Sequence, residues 1–145
     1  MKRKNGFTLF ELLVSISIVG ILSALAIVSF SSAQKKGRDS RRIQDMSLLQ
    51  KAAEQYYMLA GSNYPTTGQW GASAAGVSWT ANGQTVLEAF PKDPKGIGYT
   101  QPTTQTAAGY CFCAFIEGAT GNSPDRSCSF TTAGTLSWYC VKNQQ

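Results

Sequence analysis

Hydrophobic and polar positions divide the chain into three stretches. Residues 12–30 read Leu-Leu-Val-Ser-Ile-Ser-Ile-Val-Gly-Ile-Leu-Ser-Ala-Leu-Ala-Ile-Val-Ser-Phe, nineteen positions without a charge. At about 1.5 Å per residue, a helix over them is about 28 Å long, close to the thickness of a bilayer core. Its serines can donate back to a carbonyl one turn earlier, which lets them tolerate lipid. Gly20, Ser23, Ala24 and Ala26 are small enough for close helix–helix approach. The pattern then changes. Ile43, Met46, Leu49, Ala53, Tyr56 and Tyr57 recur every three to four residues, which marks one apolar helix face. Arg42, Asp45, Gln50, Lys51 and Glu54 take the other side. The spacing predicts a single helix over about 8–60, stopped by Gly61 and Pro65, with Gly37 as the weak point between its halves.

The third stretch is irregular, then β-rich. Residues 61–96 are dense in Gly, Ser, Thr, Asn and Pro and read as loop. Asn63-Tyr64-Pro65-Thr66-Thr67 reads as an irregular turn, 86–90 as a short helix, and Pro91-Lys92-Asp93-Pro94-Lys95-Gly96 as a turn cluster. Strands are expected at about 109–116, 126–131 and 136–141, with Tyr110, Phe112, Phe115 and Ile116 supplying β-prone bulk to the first. Ala133-Gly134 would turn between the last two. With Tyr99 nearby, these make a small antiparallel sheet on the amphipathic half of the helix, an α+β architecture. Trp138 and Tyr139 read as packing residues.

Composition adds little until charge is located. The chain has 145 residues, 43% of them hydrophobic and only 14% charged, against about a quarter charged in ordinary domains. Its net charge of +5 is local. Lys2, Arg3 and Lys4 precede the apolar run, and Lys35, Lys36, Arg38, Arg41 and Arg42 follow it with only Asp39 opposing them. From residue 43 onward five basic residues (Lys51, Lys92, Lys95, Arg126, Lys142) meet six acidic ones (Asp45, Glu54, Glu88, Asp93, Glu117, Asp125). The C-terminal part is near neutral and lacks the basic face of a nucleic-acid-binding domain, so no specific nucleic acid is expected as a partner. Positive charge bracketing an apolar segment points to a membrane surface. There is no histidine, which removes the commonest general base and metal ligand together.

Three readings compete for the N-terminus. A secretory signal peptide has an apolar run of about 7–15 residues followed by a small-residue cleavage site; this run is longer and no such site stands out. A plain membrane anchor fits the length but leaves Glu11, an acid at the lip of the apolar run, unexplained. The third reading accounts for both. Lys2-Arg3-Lys4-Asn5-Gly6, followed by Phe7-Thr8-Leu9-Phe10-Glu11-Leu12-Leu13, resembles the leader of type IV prepilins and pseudopilins. That family shows a short basic leader ending in Gly, a Phe as the new N-terminus, and a Glu as fifth residue of the processed chain. Gly6, Phe7 and Glu11 match position by position. The likeness is close over residues 2–30 and extends beyond them only in layout. Many family members carry a Pro late in the helix, where this chain has Val28.

The resemblance implies a structural role. A membrane peptidase on the cytoplasmic side would cut after Gly6 and methylate the new amino group of Phe7. Glu11 would neutralise the N-terminal ammonium of a neighbouring subunit, since a matched pair offsets the cost of two lone charges in hydrocarbon. The organisation expected is a leader over 1–6, a transmembrane and filament-core helix over 7–33, its amphipathic continuation over 34–61, and a globular loop-and-sheet domain over 62–145. Partners would be other copies and related pilins, the prepilin peptidase, an inner-membrane assembly platform and the lipid bilayer. The chain would sit in the bacterial inner membrane as a single-pass protein with its C-terminal domain extracytoplasmic, then in a cell-surface or periplasmic filament. Against this orientation, five basic residues after the helix outweigh three before it, which keeps open a single-pass membrane-anchored binding protein with no filament role.

Cys111, Cys113, Cys128 and Cys140 all fall in the strand region. Four cysteines in an exported domain suggest two disulfides. Cys111 and Cys113 share one face of a strand, so each is expected to pair with Cys128 or Cys140, in either of two connectivities. A zinc site is the rival, although Cys-x-Cys is not the usual zinc spacing. The resemblance also raises calcium, which some major pseudopilins bind through a C-terminal loop; the candidates here would be Glu117, Asn122 and Asp125, a sparse oxygen set. No nucleophile–base arrangement is visible, so no catalytic residue, resident metal or cofactor is expected.

Overall fold

The computed structural model describes residues 6–66, 76–96, 99, 105–118, 121–132 and 134–145. The leader cations Lys2, Arg3 and Lys4, residues 67–75, and Ala133 of the expected hairpin turn lie outside the described residues. The chain falls into two units, Met1–Lys35 and Lys36–Gln145, and one helix, α1 (Leu9–Leu59), belongs to both.

In the first unit α1 is long and apolar enough to cross a membrane, the one such helix among the described residues. Every described side chain from 6 to 35 is exposed. Ser15 Oγ donates to Glu11 O and Ser17 Oγ to Leu13 O, both at 2.8 Å, so these hydroxyls are satisfied within the helix.

In the second unit α1 turns Met46, Leu49, Ala52, Ala53 and Tyr56 inward. Their three- and four-residue steps put them on one stripe. The helix ends at Gly61 (φ +67°), and Ser62 N–H donates back to Tyr57 O at 3.0 Å. This is the Schellman stop that a glycine permits, because it enters the left-handed region without a Cβ clash. The stop agrees with the expected end at Gly61.

Five strands follow: β1 (Trp79–Ala81), β2 (Gln84–Leu87), β3 (Gln105–Thr106), β4 (Gly109–Phe115) and β5 (Trp138–Lys142). β1 and β2 form an antiparallel hairpin; β3-β4-β5 form a three-stranded antiparallel sheet. The hairpin corrects the reading of 61–96 as loop and of 86–90 as a short helix. Asn82 (φ +48°) and Gly83 (φ +77°) make its two-residue turn, with both residues in the left-handed region as the twist of paired strands favours. Val86 and Leu87 then sit on a strand and are buried.

The side-chain alternation of β4 and β5 builds two layers. Tyr110, Phe112 and Ala114, with Val141, join the core stripe of α1, together with Tyr64, Trp79, Val86, Leu87, Phe90 and Tyr99. Tyr56 stacks on Trp79 at 5.2 Å, and Tyr64 meets Tyr110 edge-on at the same distance. On the opposite face the register pairs Cys111 with Lys142, Cys113 with Cys140, and Phe115 with Trp138.

The expected strand at 126–131 does not form. β5 is bridged by Ser123, whose N–H and C=O both pair with Trp138 at 3.1 Å. Gly121 permits that approach, since a Cβ there would run into the Trp138 carbonyl. The loop is then held by an Asp125 cap on Ser127 N–H at 2.9 Å and by Cys128, at φ +55°. A left-handed residue in a short tethered loop is incompatible with an extended strand.

Candidate functional site

The N-terminal site begins with the residues that start α1. Residues 6–8 precede the helix, and Gly6 and Phe7 are exposed, so the peptide bond between them is accessible. Thr8 is the N-cap. Its N–H and its hydroxyl both donate to Glu11 Oε2, at 3.0 and 2.9 Å, while Glu11 N–H donates to Thr8 Oγ1 at 3.2 Å. This is a reciprocal capping box, which satisfies free N–H groups at the helix start. The Glu11 carboxylate also lies in the first turn, where the helix dipole favours negative charge. Its Oε2 is thereby committed within the chain. The sequence reading singled out Glu11 but missed Thr8. The signal was present as Thr-x-x-Glu before an apolar run.

The basic band after the apolar run does something the sequence did not suggest. Arg42 and Asp45 were assigned to the polar face, yet both are buried. Arg42 Nε and Nη2 fork onto Asp93 at 2.6 and 3.2 Å, and its Nη1 reaches Asp39 at 3.0 Å and Glu117 at 2.7 Å. Arg38 forks onto both oxygens of Glu117, at 3.1 and 2.8 Å, and Lys95 adds a contact at 2.9 Å. Asp39 accepts the N–H groups of Glu117 and Gly118 at 2.9 and 2.7 Å. Three cations thus meet three carboxylates, and burial is tolerable because each charge is paired and hydrogen-bonded. Arg41 pairs with Asp45 at 3.1 Å, and Tyr99 OH donates to Asp45 at 2.7 Å. Asp39 is a helical neighbour of Arg42, but Asp93 and Glu117 lie 51 to 79 residues from the arginines they bind, beyond any periodicity argument.

These contacts move the titrations. The Arg38 hydrogen bond, then Lys95, hold the Glu117 carboxyl well below the usual carboxylate range, with Arg42 adding to them against burial. Burial pushes Asp93 up, but the Arg42 hydrogen bond and the Lys95 N–H together outweigh it and leave it lowered. Hydrogen bonding to Asp93 raises Arg42, the largest single influence on it.

The cysteines are joined as Cys111–Cys128 and Cys113–Cys140, one of the two expected connectivities. The calcium candidates do not converge. Glu117 is engaged by three cations, Asp125 caps Ser127, and Asn122 brackets Cys140, donating to its C=O at 2.8 Å and accepting its N–H at 2.7 Å.

Residues 1–27 match the family model of the prokaryotic N-terminal methylation motif. A type II secretion system core protein G of Klebsiella pneumoniae is 36% identical over 69 residues, 48% of this chain and 49% of that one. A fimbrial protein of Pseudomonas aeruginosa is 39% identical over 54 residues, 37% of this chain and 35% of that one. The core protein G of Vibrio cholerae is 31% identical over 106 residues, 68% of this chain and 70% of that one. The chain belongs to the type IV pilin and pseudopilin family. The α+β fold, a long N-terminal apolar helix followed by small antiparallel sheets, is that of this family. These relatives are secretion-system and fimbrial proteins. The chain spans about half the length of the Klebsiella pneumoniae and Aeromonas hydrophila relatives it matches. No solved structure matches it.

Proposed function

We propose that the chain is a structural subunit of a type IV pilus or pseudopilus-like filament, held in the inner membrane by the apolar part of α1 until assembly. A prepilin peptidase cuts after Gly6 and methylates the amino group of Phe7. In the filament Glu11 then meets the Phe7 ammonium of a neighbour and sets the register between subunits. The observation that carries this reading is the Glu11 geometry: Thr8 fills one carboxylate oxygen, and the other is left for a cation at the lip of an exposed apolar helix. The family membership and the accessible Gly6–Phe7 bond support it.

Charge placement by itself runs against the extracytoplasmic C-terminal domain proposed here. Five basic residues follow the apolar run, but in the folded chain Arg38, Arg41 and Arg42 are paired with carboxylates. That pairing changes the topology count little, because the rule counts Lys and Arg whatever their acidic neighbours; the orientation proposed rests instead on the leader motif matched over residues 1–27.

The test is intact-mass and N-terminal peptide analysis of protein taken from its native membrane. The expected chain starts at N-methyl Phe7 and lacks the six residues before it. A chain that keeps Lys2 to Gly6 would overturn the processing step and put the single-pass anchored binding protein in its place. Glu11→Ala is expected to insert normally and to abolish filaments; wild-type filament yield would remove the register role.

A further inference from the structure

We propose that the four cysteines, when reduced, form a tetrathiolate site for a divalent d10 cation such as zinc, so that the loop carrying Cys128 can be closed on the sheet by a metal as well as by disulfides. The proposal is independent of the filament reading. It starts from strand geometry. Cys111 and Cys113 point to the same face because side chains alternate along β4, and Cys140 stands directly opposite Cys113 on β5. Cys128 arrives from the loop, with its Cα 5.8 Å from that of Cys111. All four sulfurs lie within 4.8 Å of one another.

One distance already suits a tetrahedral centre, and opening the two disulfides frees the other sulfurs to reach it. With metal–sulfur bonds of about 2.3 Å, the edges of a zinc–thiolate tetrahedron are about 3.8 Å. The sulfurs of Cys111 and Cys113, which are not bonded to each other, are already 3.7 Å apart. The short Cys-x-Cys spacing is no obstacle on a strand, where residues two apart are neighbours on one face.

The surroundings supply what a site needs besides ligands. Cys111, Cys113 and Cys140 are buried, with Cys128 and Trp138 packed against them. A surface cavity of about 310 Å³, lined by Cys111, Cys128 and Lys142 among others, gives a way in. Four thiolates around a dication carry a net charge of −2. Lys142 stands opposite Cys111 on the same face, and the Arg126 guanidinium lies 5.7 Å from the Trp138 ring. Three backbone carbonyls, of Arg126, Val141 and Asp125, lie 3.3 to 3.5 Å from the sulfurs of Cys111, Cys128 and Cys140. In the thiol form they accept S–H bonds and keep these side chains turned into the cluster.

The two closures exclude each other. Opening both disulfides takes four electrons and four protons from two equivalents of a dithiol reductant, which becomes a cyclic disulfide. Binding the dication then releases the four thiol protons. Bound metal withholds the thiolates that would otherwise attack a disulfide, so it should slow re-oxidation.

The test uses the full chain in detergent micelles, reduced with a dithiol and kept anaerobic after its removal. Cobalt(II) is the optical probe, zinc the competitor. One cobalt per chain with the visible bands of tetrahedral thiolate coordination, displaced by zinc, is the expected result. The double variant Cys111→Ser/Cys128→Ser keeps the Cys113–Cys140 pair and should bind either metal more than about 100-fold more weakly, since loss of outer-shell partners alone costs about 10–100-fold. Less than half an equivalent bound, or equal binding by the double variant, would overturn the site. If reduction unfolds the domain, the readout becomes the near-ultraviolet dichroism of its tyrosines and tryptophans. Zinc that restores the signal supports the site, and zinc that leaves it flat refutes it.

Discussion

Two parts of one helix make opposite use of their side chains. From Leu12 to Gln34 α1 carries no charge and is mostly apolar, and every side chain is exposed. From residue 36 to its end the helix is studded with charge, yet it holds the core: Met46, Leu49 and Ala53 are fully buried, and Asp39, Arg42 and Asp45 are buried with them. Hydrophobicity alone therefore does not locate a core. What buries a residue is the presence of complementary partners in the same chain, and the more apolar half has none in its own unit. Its exposed leucines and isoleucines require another apolar medium, lipid or neighbouring helices.

The sharpest way to break this contrast is to remove the centre of the ionic network. Arg42→Ala leaves Asp39, Asp93 and Glu117 close together without the guanidinium that joins them. Removing one member of a buried pair typically costs about 3–5 kcal/mol. Thermal melts of the chain in micelles, followed by near-ultraviolet dichroism, should show that loss. Helical signal from the apolar half should survive, and a melt unchanged from wild type would mean that the network contributes nothing.

A matched pair of leucines tests the two halves with one substitution. Leu49 is fully buried, whereas Leu25 is 64% exposed. Leu49→Ala should cost about 2–5 kcal/mol, while Leu25→Ala should fall within about 0.5 kcal/mol of wild type. Equal effects in the same denaturation series would show that the apolar half has a partner in the monomer after all.

Acid should discriminate the halves as well. Glu117 and Asp93 have folded pKa values held below those of the unfolded chain. The stability they supply is therefore complete above the ordinary carboxylate range and is lost as pH falls through their lowered folded values. The melting temperature should be level near neutrality and drop below about pH 4. Glu117→Gln should flatten that drop, whereas a profile as steep as wild type would assign the acid sensitivity elsewhere.

The same contrast explains what could be read from the sequence. The extent of α1 was legible because an uncharged run and a periodic stripe are local signals, and Gly61 marked its end. β4 and β5 were legible as β-prone runs. The burial of Arg42 was not, because two of its three carboxylates come from Asp93 and Glu117, far along the chain. Position on a helical wheel assigns a charge to solvent by default. The Trp79–Leu87 hairpin was overlooked although Asn82-Gly83 is a strong turn signal; the surrounding Gly and Ser masked it. The loop at 126–131 looked like a strand because its tether at Cys128 is a tertiary constraint. For Gly6, Phe7 and Glu11 the motif located the residues, but the partner of Glu11 within the chain, Thr8, emerges only from geometry.

The smallest expected effect concerns two glycines of the helix. Gly20 and Gly37 both have open space where a Cβ would stand, so in the single chain Ala is accommodated at either position. Each substitution should stabilise the helix by about 1 kcal/mol, since Gly is the poorer helix former by that amount. Helicity in micelles should rise slightly and equally for both. Their behaviour should part on assembly. Gly20 lies within the apolar run with Ser23, Ala24 and Ala26, where small residues set how closely helices approach. Gly37 lies in the second unit, outside that run. Gly20→Ala should therefore lower filament yield despite a more stable monomer, and Gly37→Ala should leave the yield unchanged. A loss in both would point to a requirement for helix flexibility rather than for close packing, because flexibility is the one property that the two positions share.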